Sequence, residues 1–388
     1  MVNFHLGLLP RIILAIILGV VFGQFLSMPW VRVFITFNGI FSQFLGFMIP
    51  LIIVGLVAPA IADLGSGAGK LLLVTVAIAY ADTLFAGLLS YGTGSWLFPS
   101  MISSVDSSVQ VQKAQDIAPY FSIAIPPMLD VMAALVFAFM LGLGIAYSNS
   151  TTMLNFFHEF KEIISKTISV AIIPLLPIYI FGIFLNMTVN GQAYDIMIVF
   201  AKIICVIIVL HFFIIIYLFV FAGGVVKKNP FKLLWNMVPA YFTALGTSSS
   251  AATIPVTLRQ TLKNGVSEDI SGFTVPLCAT IHMPGSAMKI TACALAITMI
   301  SGMPHNFGLF MNFIMLLGVC MVAAPGVPGG AIMAALGPLA SVLGFDAQAQ
   351  ALMIALYIAM DSFGTACNVT GDGAIALIVD KMFNKRKA

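Results

Sequence analysis

The chain has 388 residues, of which 61% are hydrophobic and 8% charged, with a formal net charge of +3 and a mean hydropathy of +1.09. Soluble domains carry about 25% charged residues, so the composition excludes a soluble domain, leaves no basic surface for a nucleic acid, and describes an all-α polytopic membrane protein in contact with lipid. The five cysteines are scattered through apolar runs, with no pair at metal-ligand spacing, which argues against a disulfide framework or a zinc site.

Apolar runs long enough to cross a bilayer fall at 11–28, 35–62, 71–98, 119–147, 164–190 and 196–222. No signal-peptidase site follows the first run, and further spans do, so it reads as a first transmembrane helix. Pro126 and Pro127 in the fourth run, and Pro174 and Pro177 in the fifth, predict kinks. Beyond residue 230 the apolar segments shorten and are interrupted at their centres. The segment 231–262 contains Gly246-Thr-Ser-Ser-Ser-Ala-Ala-Thr-Ile-Pro255, and 307–343 contains Ala323-Ala-Pro-Gly-Val-Pro-Gly-Gly330. Each reads as helix, non-helical tip, helix: a re-entrant hairpin. Non-helical backbone at membrane depth is tolerated only where it is buried in protein or lines a cavity, and a pair of such segments points to a binding site between repeats. A span at 270–299 separates the hairpins and another, at 348–379, follows them.

The expected architecture is therefore eight transmembrane helices plus two re-entrant hairpins. With the N-terminus in the cytoplasm, 13 lysines and arginines fall inside and only Arg32 and Lys113 outside, a strong positive-inside bias that also puts the C-terminus in the cytoplasm. The expected location is the cell (inner) membrane.

In the last span Asp361, Thr365, Asn368 and Asp372 are spaced 4, 3 and 4 residues apart, which lays them along one helix face. Two carboxylates in an otherwise apolar segment are costly in hydrocarbon and mark an ion or substrate path; the plain alternative is a hydrogen-bond network that fixes helix packing. The serine-rich tip Ser248 to Ser250 offers free N–H groups near helix ends, suited to a carboxylate, or else packs helices closely. Asp82 lies inside the third span beside Tyr80 and Thr83, and Lys289 lies at the centre of the seventh.

The Ser248-Ser-Ser-Ala-Ala-Thr-Ile-Pro255 tip resembles the first hairpin of the dicarboxylate/amino acid:cation symporters, the glutamate-transporter family. Gly326-Val-Pro-Gly-Gly330 is similar to its second hairpin tip, and Asn368-Val-Thr-Gly-Asp372 to its last-helix signature, with Asp361 and Thr365 in register. The likeness is close over the C-terminal half and extends to the order of spans in the N-terminal half. It implies an elevator-type homotrimer without cofactor. Scaffold helices would occupy 1–70 and 119–195, and the transport domain 71–118 and 196–388. It also implies a substrate site of Ser248, Ser249, Ser250, Ser286, Val327, Gly329, Asp361, Thr365 and Asn368, with Ser250 on the α-carboxylate and Asp361 on the ammonium. Asp372 and the backbone carbonyl of Asn368, with Met283, Tyr80 and Thr83, would serve sodium.

The sequence departs from the family pattern in two places. The family's Asn-Met-Asp-Gly-Thr segment reads His282-Met-Pro-Gly-Ser286 here, so two oxygen ligands are missing. Asp82 and His282 either rebuild a cation site, couple transport to protons, since histidine changes charge near neutral pH, or form a structural pair. Acidic-substrate members carry an arginine three residues after the aspartate, where this chain has Gly364. The expectation is a symporter for a neutral or small polar amino acid, driven by Na⁺ with H⁺ as a further coupling ion. The alternative is an acidic amino-acid or dicarboxylate carrier that uses Lys289 and is coupled wholly or partly to H⁺; a lysine not used in that way would pair with Asp361 or Asp82. A channel would not need two gate-like hairpins, and the serine run needs no catalytic explanation, so no enzyme activity is expected.

Overall fold

Long apolar runs leave backbone polar groups with no water to bond, so they satisfy one another within helices. The structure, a computed structural model, describes residues 8–65, 69–102, 117–148, 150–191, 193–324, 326 and 328–383; among these every regular element is helical. Val327 of the expected substrate site lies outside the described residues, as do Lys113 and the basic residues Lys385 to Lys387.

The first half forms α1 (Leu8–Phe22), α2 (Met28–Gly65), α3 (Lys70–Ile102), α4 (Val131–Ser148), α5 (Thr151–Thr167) and α6 (Ile173–Val189). The expected span at 119–147 is shorter than its apolar run. Residues 117–130 are not helical and lie along α2, where Tyr120 N–H donates to Thr36 Oγ1 at 2.9 Å and Arg32 Nε donates to the Ala118 carbonyl at 3.0 Å. Pro126 and Pro127 precede the helix instead of kinking it, and α4 begins where Asp130 Oδ1 accepts from Ala133 N–H at 2.8 Å. The fifth span is longer than expected. It runs from Thr151 to Val189, because its first turns are amphipathic and escape an apolarity window. A π-helical turn, Ile168–Ile172, joins α5 to α6 just ahead of Pro174, whose missing N–H breaks the regular ladder there.

The second half forms α7 (Ala193–Val226), α8 (Pro230–Thr247), α9 (Ser250–Lys263), α10 (Glu268–Ile281), α11 (Pro284–Ile300), α12 (Phe307–Ala323), α13 (Gly330–Ser341), α14 (Ala347–Ala359) and α15 (Asp361–Phe383). The pairs α8–α9 and α12–α13 pack against each other, the two hairpins read from the sequence. A 12-residue helix such as α13 rises only about 18 Å, too short for a bilayer core of about 30 Å. The spans at 270–299 and 348–379 are each broken. His282 and Met283 leave the helical region between α10 and α11, and α14 meets α15 at a 62° bend.

Helix packing falls into two groups. α1 and α2 pack with α4, α5 and α6, whereas α15 packs with α7 to α11, and α3 with α11. Contacts between the groups run mainly through α12, α13 and α14. Both broken helices and both hairpin tips belong to the second group.

Candidate functional site

The two hairpin tips touch. Ser248 adopts a left-handed backbone (φ 50°) that ends α8, and Ser249 caps α9 by accepting from Ala252 N–H at 3.3 Å. Ser249 Oγ also donates to the Gly326 carbonyl of the second tip at 3.1 Å, and Ser248 Oγ lies 2.6 Å from Ser362 Oγ on α15. Gly329 (φ 75°) starts α13, a conformation that favours glycine. Its N–H donates to Asp361 Oδ2 at 2.8 Å.

Asp361 is the first residue of α15, and not a mid-helix position as a single straight span would make it. The bend at Met360 thus presents the carboxylate at a helix N-terminus, where the dipole favours an anion. Four residues on, Thr365 Oγ1 donates back to the Asp361 carbonyl at 3.0 Å. The Asn368 amide locks the start of α11: its Oδ1 accepts from Gly285 N–H at 2.8 Å and its Nδ2 donates to Ser286 Oγ at 3.3 Å. Ser286 Oγ lies 2.9 Å from the Tyr357 hydroxyl. A Cβ on Gly285 would stand 2.7 Å from the Gly364 carbonyl and from Cys367 Cβ, so glycine lets α11 approach α15 this closely.

Together these groups line a small cavity of about 20 Å³, bounded by Ser248, Ser250, Met283, Ser286, Gly326, Ala331, Tyr357, Asp361, Thr365 and Asn368. A water needs about 10–15 Å³, so with the tips in contact the space holds about one. Asp361 is the one charged group on this wall among the described residues. Lys289 is off the wall: its ammonium sits behind Asp361, 3.8 Å from Oδ1, donates to the Met360 carbonyl at 3.0 Å and lies 4.0 Å from the Tyr357 ring centroid.

Deeper in the bundle, His282 bridges two carboxylates. Its Nδ1 lies 2.9 Å from Asp372 Oδ1 and its Nε2 lies 2.9 Å from Asp82 Oδ2, and all three side chains are buried. Two hydrogen bonds among these three groups need two protons, so the array carries a single net negative charge whichever atoms hold them. Thr83 Oγ1 accepts from Met283 N–H at 3.3 Å beside it. The structure does not bring Tyr80 to this cluster; its hydroxyl donates to the Met315 carbonyl at 3.2 Å. The Asn368 side-chain amide is engaged by Gly285 and Ser286, so the sodium role expected of this residue falls to its backbone carbonyl. Among the described residues no three His, Cys, Asp or Glu side chains converge on a point that could hold a metal ion.

Sequence reasoning missed Tyr357 and Ser362. Tyr357 lies four residues before Asp361 and would have extended the polar stripe backwards by one turn, a signal hidden by its aromatic character.

The sequence matches the sodium:dicarboxylate symporter family over residues 8–382. It is 26% identical to the serine/threonine transporter SstT of Streptococcus suis, an alignment that covers 84% of this chain and 93% of that protein. It is also 36% identical over 162 residues to excitatory amino acid transporter 3 of Mus musculus and of Oryctolagus cuniculus. Those two alignments cover 42% of this chain and only 31% of each relative. The relatives are transporters and not enzymes. With the match running through both helix groups and both hairpins, the chain belongs to the sodium:dicarboxylate symporter family.

Proposed function

We propose that the protein is a secondary-active symporter that moves a neutral or small polar amino acid across the cell membrane with Na⁺. The observation that carries this reading is the cavity wall: one carboxylate, Asp361, beside serine hydroxyls and helix N-termini, with no basic side chain among the described lining residues. An α-ammonium suits Asp361 through a charge-assisted hydrogen bond. An α-carboxylate suits the Ser248 to Ser250 tip, where the N-terminus of α9 favours an anion and where Ala251 N–H, now given to the Gly326 carbonyl of the other tip, is freed when the tips part. That leaves no cation on the wall for a second carboxylate, and the position of Lys289 behind Asp361 weighs against an acidic substrate. The relative aligned along most of the chain is named for serine and threonine, in keeping with a small polar substrate.

The tips must part to admit a ligand, since the cavity holds about one water. Hairpin α12–α13 is the gate in this reading, because among the described residues its tip is held over the cavity by a few hydrogen bonds, Gly329 N–H to Asp361 and the Gly326 carbonyl to Ser249 and Ala251. Na⁺ is the coupling ion. With Asp82 and Asp372 engaged by His282, its remaining oxygen donors are carbonyls freed at the His282–Met283 break. The chain works as a homotrimeric elevator of eight spans and two hairpins, with both termini cytoplasmic. The group of α1, α2, α4, α5 and α6 is the scaffold and the remaining helices are the moving domain, a division the packing supports. On α4 the apolar side chains of Val136, Met140 and Leu143 are exposed, a surface for lipid or a second copy.

The test is uptake of the 20 standard amino acids into proteoliposomes, with Na⁺ and pH gradients imposed separately. Sodium-driven accumulation of serine, threonine or alanine is expected. Accumulation of glutamate or aspartate alone, or accumulation driven by the pH gradient with sodium irrelevant, would replace this reading by the acidic, proton-coupled one.

A further inference from the structure

A carboxylate sealed inside a membrane protein needs a compensating cation. In a carrier that requirement recurs in every cycle, because the moving domain must also return with its site empty. Among the described residues Asp361 faces the gate, through Gly329 N–H, the Tyr357 hydroxyl and, as its one cation, the ammonium of Lys289. The ammonium is not among the groups that line the cavity. Lys289 is only 1% exposed, and it is held by two anchors besides the carboxylate, the Met360 carbonyl and the face of Tyr357. Its tip fills the space over Gly364, where any side chain would collide with it.

This geometry describes a tethered counter-ion and not a locked ion pair. At 3.8 Å from Oδ1 the ammonium compensates the charge without a tight hydrogen bond. The Met360 carbonyl at 3.0 Å and the aromatic face keep it solvated when the carboxylate turns to another donor. A lysine suits the task because its charge is compact and its stem flexible, unlike the planar fork of arginine.

We propose that Lys289 is the internal stand-in for the substrate ammonium: it neutralises Asp361 whenever the cavity is empty and yields to the substrate when one binds. The gate then closes over a compensated site in both halves of the cycle, and net uptake does not stall at the return of the empty carrier. This inference rests on the amino-acid symport proposed above.

The experiment separates two transport modes of the full chain in proteoliposomes, with radiolabelled L-serine as probe. Exchange of internal for external serine keeps the site filled in both directions. Net uptake into serine-free vesicles requires the empty return. In Lys289→Met the ratio of net uptake to exchange is expected to fall by about tenfold or more, the buried carboxylate having lost its cation. Gly364→Ala, which leaves the lysine in the sequence but pushes its tip aside, is expected to lower the same ratio less. This second variant decides the matter if Lys289→Met does not fold. A proportional loss of both modes in either folded variant would overturn the inference and make Lys289 a structural residue. Loss of L-glutamate exchange with L-serine exchange retained would also overturn it, making Lys289 a reader of acidic side chains. A wild-type protein that exchanges none of the 20 amino acids would overturn the symport reading itself, and this inference with it.

Discussion

His282 and Asp372 meet nitrogen to oxygen at 2.9 Å in a fully buried part of the bundle, and the opposite edge of the same imidazole holds Asp82. One ring thus ties α3 to α15 through the break between α10 and α11. Replacing it by alanine leaves two buried carboxylates without a shared proton donor. His282→Ala is expected to destabilise the protein by about 3–5 kcal/mol, the usual cost of breaking a buried pair, measured by chemical unfolding in detergent. Adding Asp372→Asn should recover part of that loss, because it removes one of the stranded charges. A cost below about 1 kcal/mol, typical of a surface pair, would mean that the array contributes no ion pairing.

The hairpins were legible in the sequence because glycine, serine and proline sit where the chain must turn, at Ser248 to Ser250 and at Gly326 to Gly330. Other features were hidden for physical reasons. The bend at Met360 has no proline to announce it; Lys289 draws on the Met360 carbonyl from another helix, a tertiary effect. The same bend moves Asp361 from a helix interior to a helix start. Pro126 and Pro127 mark a boundary and not a kink, because the segment before α4 bonds to α2 instead of to itself. The pairing of Asp82 with His282, 200 residues apart, was reachable only through register with a known family.

The contact between the two tips gives a second prediction. A Cβ on Gly326 would lie 3.9 Å from Ala251 Cβ, inside the usual disulfide range of about 3.5–4.5 Å. Ala251→Cys with Gly326→Cys should therefore cross-link under mild oxidation, in a chain whose exposed Cys205 is replaced by serine. Oxidation is expected to abolish transport and a reductant to restore it, read as uptake before and after each treatment. Full activity in a completely cross-linked sample would show that the tips need not part.

Tyr357 does two separable things. Its hydroxyl lies 2.9 Å from Ser286 Oγ, and its ring lies 4.0 Å below the Lys289 ammonium. Tyr357→Phe removes only the hydroxyl, which serves Ser286 and Asp361, so a several-fold or larger rise in the substrate concentration at half-maximal rate is expected, at about 0.5–1.5 kcal/mol for each hydrogen bond lost. Tyr357→Leu also removes the aromatic face, worth up to about 2 kcal/mol to a desolvated cation. It should reproduce part of the transport defect of Lys289→Met. Equal kinetics for the two variants would deny the ring any role toward the lysine.

Asp361→Asn keeps the shape of the side chain and an oxygen able to accept from Gly329 N–H, and removes the charge. If the carboxylate receives the substrate ammonium, uptake should fall by about ten- to a hundredfold, since a charge-assisted contact of about 1.5–3 kcal/mol is lost, and the nearby lysine is left unpaired. The second effect can be isolated. Lys289 then sits buried with only a carbonyl and a ring for partners, so Asp361→Asn should unfold at a lower temperature than the wild type. The double variant Asp361→Asn with Lys289→Met should regain most of that stability, because removing both members of a buried pair costs far less than removing one. It should not regain transport, because the carboxylate remains absent. Recovered stability with uptake still lost would assign Asp361 to the substrate and Lys289 to Asp361. Wild-type uptake in Asp361→Asn alone would remove the ammonium from this carboxylate and require another acceptor on the cavity wall.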